Sequence, residues 1–386
     1  MLDTIDSSRL GLAYSRFLDP SRVLLTGHSH QAWPDVAARG LLECFEDAAR
    51  LVDDKWEAAA RVAHALREFV AMRIGAEADE IALGQNTHEL VTRFLSALDL
   101  RARPHLVTTT GEFHSMRRQL RRLEEAGVRV SWVEAHPVAT LAQRLNDAIE
   151  PATAAVLTSS VLFENSSVVP HLDELAREAQ RRELPLLVDA YHAFGVVPFS
   201  VAELGAQTFI VAGGYKYAQW GEGCCFMRAP KDRPMRPLVT GWFADYAGLE
   251  AGAQSGLLGY GSTPAEAFAG STYDPASHYR ARAVIRFFES ENLNLARLRR
   301  RSLEQTQRLF EWLEGYALET PRAAEARGGF VSLRLPAASD VARELRSRGV
   351  YVDSRGELLR LGPAPYTTDD ELERAVQTLR AIAPVR

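Results

Sequence analysis

The sequence predicts an α/β protein: a large, doubly wound, mostly parallel sheet domain joined to a small C-terminal α/β domain. Three observations predict it. From Ile81 to Arg228, short apolar runs alternate with amphipathic helical stretches, the pattern of a parallel sheet covered on both faces. The tail repeats the alternation on a smaller scale. The chain has 386 residues, 46% hydrophobic and 25% charged, the balance of a soluble globular protein but more chain than one core normally holds.

Taken in order, residues 1–40 read as irregular apart from the apolar run Val23-Leu24-Leu25. Helical patterning runs from Asp35 to Ile74, broken near Asp53-Asp54. Strands follow at Leu106–Thr110, Val128–Val133, Ala154–Thr158, Leu184–Val188, Thr208–Ala212 and Cys224–Arg228. Helices near Glu89–Ala97, Met116–Glu125, Val138–Ala148 and Leu172–Arg181 lie between them. Gly241–Pro275, rich in Gly, Ser, Pro and aromatics, reads as a long functional loop. One strong helix is expected over Ala276–Phe310. The tail then gives a strand (Gly329–Leu335), a helix (Asp340–Arg348), two strands (Val350–Asp353, Leu358–Leu361) and a helix (Asp369–Ala383) opened by Thr367-Thr368-Asp369-Asp370, a good cap. The expected division is an N-terminal segment (1–40) packing with the small domain, a large domain (41–275), and the small domain with its bridging helix (276–386).

Composition narrows the function. With 45 basic and 50 acidic residues the formal charge is −5, which gives no footprint for nucleic acid. No run approaches the roughly 20 apolar residues of a membrane span. The start, Met1-Leu2-Asp3-Thr4-Ile5-Asp6, has neither a basic stretch nor an apolar h-region, so the expected location is the cytoplasm. Cys44, Cys224 and Cys225 cannot build a disulfide framework or a four-ligand zinc site. Only Lys55, Lys216 and Lys231 are lysines, so a lysine inside an apolar segment stands out.

Lys216 is that lysine. Leu186-Leu187-Val188-Asp189 is a buried strand ending in a carboxylate, where α/β sheets place ligand groups. Phe209–Ala212 then runs into Gly213-Gly214-Tyr215-Lys216-Tyr217, one strand–helix–strand step later, so Asp189 and Lys216 can face one crevice. A lysine desolvated among aromatics has a lowered pKa and can form a Schiff base with an aldehyde. A carboxylate at the neighbouring strand end would keep a pyridinium nitrogen protonated. The pair reads as a pyridoxal 5'-phosphate site. Leu83-Gly84-Gln85-Asn86-Thr87-His88, opening a helix, supplies an anion cradle from its first amides and the Thr87 hydroxyl; Thr87 as a simple helix cap is the plainer reading of that segment alone.

The segments Asp189-Ala190-Tyr191-His192 and Gly213-Gly214-Tyr215-Lys216-Tyr217 resemble the fold-type-I, class V aminotransferase superfamily, and within it kynureninase. The likeness runs over nearly the whole chain. Leu25-Thr26-Gly27-His28-Ser29-His30 stands where kynureninases have an N-terminal Asp-Gly-Asn-Ser stretch. Thr240-Gly241-Trp242-Phe243 resembles their Gly-Trp loop, and Leu359-Arg360-Leu361-Gly362-Pro363-Ala364-Pro365-Tyr366 their Arg-x-Ala-Pro-x-Pro segment. The resemblance implies that Lys216 carries the cofactor and moves protons, Asp189 bonds the ring nitrogen and His192 supports it. Phe113, or His114 one residue on, stacks on the ring. Asn86, Thr87 and Tyr215 bind phosphate, with Ser271 or Thr272 reaching it from the second subunit of a homodimer. Tyr215 also serves as an acid–base group. Arg360 grips the substrate carboxylate, and Trp242 lines the substrate pocket. Apart from the resemblance, His28 and His30 have same-face strand spacing and read as substrate-pocket residues; a metal site is the other reading, with no clear carboxylate or cysteine partner to complete it. No metal is expected.

The implied activity is hydrolytic Cβ–Cγ cleavage of kynurenine or a related aryl amino acid to alanine and an aryl acid. The alternatives are a class V aminotransferase or a β-eliminating lyase on another amino acid, and a non-catalytic binding protein on the same fold. Departures fall on substrate recognition. Ser271-Thr272-Tyr273-Asp274 replaces Ser-Asn-Pro-Pro, and His28-Ser29-His30-Gln31 replaces Asn-Ser-Leu-Gly. Leu162-Phe163-Glu164-Asn165 matches a stretch that carries an Asn near the cofactor phenolate. No cysteine follows Cys225, which speaks against a desulfurase. The arginines at 117, 118, 121 and 122 read as a solvated helix face.

Overall fold

The computed structural model describes residues 4–248 and 256–385. Its strands, in chain order, are β1 (Val23–Leu24), β2 (Ile81–Gly84), β3 (His105–Thr109), β4 (Arg129–Val133), β5 (Thr153–Ser159), β6 (Leu186–Asp189), β7 (Thr208–Gly213), β8 (Cys225–Arg228), β9 (Ala317–Leu318), β10 (Val331–Arg334), β11 (Val350–Tyr351), β12 (Asp353–Arg355) and β13 (Leu358–Leu361). The central sheet has the order β2-β8-β7-β6-β5-β3-β4. Only β8 runs against its neighbours; it pairs antiparallel with both β7 and β2. Strands covered on both faces carry unbroken apolar runs rather than alternation, and every residue of β5 and β7 is buried.

The order of the strands creates the site. β6 and β7 lie side by side and parallel, with Asp189 opposite Val211. Because β8 is antiparallel, β7 reaches it through a local connection instead of a crossover helix, and Lys216 sits in that connection at the carboxyl edge of the sheet. The link is tied down by Gly214 N–H to Cys224 O (2.9 Å) and Trp220 N–H to Gly214 O (2.8 Å). Gly213 and Gly214 are required by close approach: a Cβ on the first would strike Cys225 Sγ and the Tyr191 hydroxyl, and one on the second the Trp220 ring.

The small sheet, β12-β13-β10-β9, packs with the helices Leu295–Trp312, Ala338–Ser347 and Asp369–Ile382 around its own apolar cluster, which includes Val23 and Leu25. β1 pairs in parallel with β11, Val23 opposite Val350. The last helix is capped as expected, Thr368 and Glu371 forming a reciprocal capping box.

Three expectations need correction. The single helix over Ala276–Phe310 is two, Ala276–Ser290 and Leu295–Trp312. Asn292 takes a left-handed conformation (φ 53) and the Asn294 side chain accepts the Arg297 N–H (3.1 Å), so the chain stops and restarts around buried Leu293. The first forty residues also hold a short helix, Ser7–Gly11, capped by Asp6. The strand expected over Val350–Asp353 ends at Tyr351, and Asp353 begins β12 in a different sheet. Of the loop expected over Gly241–Pro275, residues 249–255 lie outside the described set; the remainder contains short helical turns at Trp242–Asp245 and Pro264–Ala267.

Candidate active site

Lys216 is 4% exposed, with Nζ 4.9 Å from the Tyr191 ring centroid, 5.3 Å from Phe113 and 5.6 Å from Tyr215. Its nearest polar neighbour is His192 Nε2, at 2.7 Å. Burial lowers the Lys216 pKa from the usual 10.5 to about 7, against the opposing pull of the Asp189 charge. Burial likewise raises Asp189, opposed by the Tyr191 N–H bond to Oδ1 (2.8 Å) and by Lys216. His192 is held neutral by burial and by the positive charges of Lys216 and Arg360. Desolvation therefore dominates the pair, and both groups are pushed toward their uncharged forms.

Phe113 immediately precedes the helix His114–Glu125 and faces Phe163 edge-on at 5.4 Å. Its ring, not that of the exposed His114, is the one over Lys216. Tyr215 lies 5.1 Å from Tyr191, and burial pushes its phenol up to about 12. Asn86 is the N-cap of the helix Thr87–Ser96, its Oδ1 accepting the Glu89 N–H (2.8 Å). Thr87 is the first helical residue, so the cap is Asn86 and the Thr87 hydroxyl is left for other work.

Arg360, 2% exposed, points from β13 toward this cluster. Its Nε donates to Asp353 Oδ1 (2.8 Å), its Nη2 to Asp353 Oδ2, and its Nη1 to the Phe163 carbonyl. His28 is fully buried behind them, Nε2 2.9 Å from Asp353 Oδ1. His30 is exposed, its ring 5.6 Å from that of Tyr215.

Ser271, Thr272 and Trp242 fall elsewhere in the chain's own structure. The two hydroxyl residues line a cavity of about 270 Å³ together with Gly84, Gln85, Arg67 and His278. Trp242 donates Nε1–H to Thr272 Oγ1 (3.2 Å) and stacks on Phe243. Asn165 is buried, its Oδ1 turned into its own loop to accept the Ser167 N–H (3.1 Å).

Two acids of the site were not picked out from the sequence. Glu112, fully buried, accepts the Ser159 N–H (2.9 Å) and meets Ser159 Oγ (2.7 Å); burial pushes its carboxyl up to about 8. Ser159 pairs with Asp189 across the sheet, so Glu112 ties the Phe113 segment to the Asp189 strand end. Asp353 had a readable signal: it and Arg360 stand at equal distance from the Gly356-Glu357 turn.

Residues 298–379 match the family model of the kynureninase C-terminal domain. The kynureninase of Geobacillus thermodenitrificans is 24% identical over 388 residues, covering 95% of this chain and 89% of that protein. The isopenicillin N epimerase of Streptomyces clavuligerus is 28% identical over 338 residues, covering 82% and 83%. Among solved structures, a mutant of the cystine C–S lyase C-DES with glycine covalently linked to its pyridoxal-phosphate cofactor superposes with a TM-score of 0.83 at 15% identity, over 96% of this chain and 98% of that one. The apo cysteine desulfurase of Thermococcus onnurineus gives 0.78 at 21%, over 94% of each. The chain has the fold-type-I architecture and is similar to class V pyridoxal-phosphate enzymes, kynureninase among them.

The residues present fit that cofactor. A buried amine near neutrality can take an aldehyde, and an adjacent strand-end carboxylate suits a ring nitrogen. Aromatic faces surround the amine, and a helix start lies at the same sheet edge. No helix among the described residues is long and apolar enough to cross a membrane.

Proposed function

We propose that this enzyme performs kynureninase-type chemistry, hydrolysing the Cβ–Cγ bond of kynurenine or a related aryl amino acid to alanine and an aryl acid. The observation that supports it is the meeting of Lys216, Asp189 and Arg360 in one site whose C-terminal part matches the kynureninase domain. Pyridoxal phosphate, when bound, supplies a conjugated ring that accepts the electron pair left at the substrate Cα. Lys216 would hold its aldehyde and then move the proton at Cα; a pKa of about 7 lets the amine act as a base near neutral pH. His192, neutral and 2.7 Å from Nζ, can accept a hydrogen bond from the lysine and steady it.

Asp189 would hold a proton at the ring nitrogen, and Phe113 would cover the ring face. The Asn86 amide N–H₂, the Thr87 hydroxyl and the Tyr215 phenol would donate to phosphate. Tyr215, like any phenol, holds its proton at neutral pH, and burial raises its pKa further, to about 12; it would be a proton donor within hydrogen-bond reach rather than a base. Arg360 would bind the substrate carboxylate, with His30 nearer the side chain and, in a homodimer, Trp242 of the second copy facing it. In a homodimer, Ser271 or Thr272 of the second copy would complete the phosphate site.

A second reading, transamination, epimerisation or β-elimination on another amino acid, has its own support. Ser271-Thr272-Tyr273-Asp274 lacks the amide found in kynureninases, and one relative is an isopenicillin N epimerase. Desulfuration is disfavoured: Cys224 and Cys225 are buried with thiols pushed well up, and no cysteine follows them. The test is to add L-kynurenine and 3-hydroxykynurenine to the holoenzyme. Release of fluorescent anthranilate from L-kynurenine is expected; a perturbed cofactor band with no aryl acid from either compound favours the second reading.

A further inference from the structure

Arg360 is held more firmly than its role as an anchor requires. β12 and β13 form a hairpin closed by Gly356-Glu357, with Gly356 in the left-handed region at φ 56. Its register sets Asp353 directly opposite Arg360, which puts both side chains on one face. Asp353 takes the Nε edge of the guanidinium with both its oxygens, and the Phe163 carbonyl takes Nη1. Behind Asp353, the His28 ring stacks on Phe330 at 4.4 Å, with its Nε2 2.9 Å from Asp353 Oδ1. Gly362 closes the other side of that ring, where a Cβ would strike His28 Nδ1. Arg355, two residues along β12, stands 3.7 Å from Asp353 Oδ2 and is partly exposed.

A guanidinium has five N–H donors. Asp353 and Phe163 engage three of Arg360's, leaving one on each terminal nitrogen. The row Arg360, Asp353, Arg355 carries a net charge of +1 with His28 neutral, which burial ensures by lowering its pKa to about 4. One carboxylate neutralises that row.

We propose that Asp353, braced by His28, is a positioning residue for carboxylate recognition: it fixes Arg360 edge-on, so that its two remaining N–H groups meet the single α-carboxylate of an amino acid. This rests on the reading of Arg360 as the carboxylate anchor. Asp353 does not swing aside for the substrate, because backbone pairing, the two-point contact and His28 all hold it where it is.

The experiment titrates the cofactor absorption band of the holoenzyme with L-alanine and with L-alaninamide, which share an amine and differ in the carboxylate. Wild type should bind alanine more tightly than the amide. In D353N the alanine Kd should rise about 10- to 100-fold, the range for a charged hydrogen bond, with the alaninamide Kd unchanged. H28N should move alanine in the same direction by less, and D353E should recover part of the loss; these two carry the test if D353N does not fold. Tighter alanine binding in D353N would mean that Asp353 competes with substrate and would overturn the proposal. Equal weakening of both ligands, or a wild type that does not distinguish them, would overturn it too. R360A separates the two levels. If it leaves wild-type discrimination intact, Arg360 is not the anchor; if it abolishes discrimination and D353N does not weaken alanine, only the role of Asp353 fails.

Discussion

Raising the pH of the apoprotein from about 6 to about 8 should switch on its capture of pyridoxal phosphate, because only the neutral Lys216 amine attacks the aldehyde. With a Lys216 pKa of about 7, about a tenth of the amine is neutral at pH 6, half at pH 7 and nine-tenths at pH 8. The capture rate should therefore rise about tenfold over that interval and level off above it. An ordinary lysine would be neutral in only about one molecule in 3000 at pH 7, and its rate would climb tenfold per pH unit to about pH 10. His192 does not titrate in this window, because burial and the nearby positive charges keep it neutral. Stopped-flow absorbance after mixing apoprotein with the cofactor reads the rate directly. D189N should move the midpoint lower, because the Asp189 charge is what opposes the burial of Lys216. A rate still rising tenfold per unit at about pH 9.5, or a D189N midpoint moved upward, would refute the claim that desolvation sets this lysine.

Y215F should raise the Kd for pyridoxal phosphate about 10- to 100-fold, the loss of one charged hydrogen bond, while leaving alanine binding to the loaded enzyme unchanged; equilibrium dialysis and band titration measure the two. Glu112 holds its proton up to about pH 8 in the fold but releases it near 4.5 when unfolded. The unfolded chain thus binds fewer protons between those values, and stability falls as pH rises through the window. Thermal unfolding should show E112Q gaining on wild type between pH 5 and 8.5, and parallel pH profiles would contradict this. N294A removes the cap of the helix Leu295–Trp312 and should cost about 1 kcal/mol in a denaturant titration, with kcat unaltered.

Legibility in the sequence followed locality. Asp189 and Lys216 could be read because each stands at the end of a continuous apolar run, and strand ends are where such sheets place their chemistry. The scarcity of lysine, three in an arginine-rich chain, sharpens that reading. The contact of His192 with Lys216 has no such signal: the chain turns after β6, with Phe194 N–H bonding Ala190 O (2.8 Å), and brings His192 Nε2 to 2.7 Å from Lys216 Nζ. Glu112 takes its meaning from Ser159, a partner 47 residues away across the sheet, which no single-segment pattern reports, whereas Asp353 could have been paired with Arg360 by counting outward from the Gly356-Glu357 turn. The helix break at Asn292-Leu293-Asn294 was written in residues that favour left-handed and capping conformations, but apolar periodicity continued through it. Ser271, Thr272 and Trp242 lie in a stretch with no periodicity, where a likeness to kynureninase supplied roles without positions.

Whether Lys216 anchors the cofactor is measured by reducing the pigmented holoenzyme with borohydride, digesting it, and locating the pyridoxyl group by mass spectrometry. The chain offers three lysines, Lys55, Lys216 and Lys231. The label should fall on the Lys216 peptide alone, with no covalent label in K216A. Label on Lys55 or Lys231, or a protein that takes up the cofactor without any reducible bond, would contradict it.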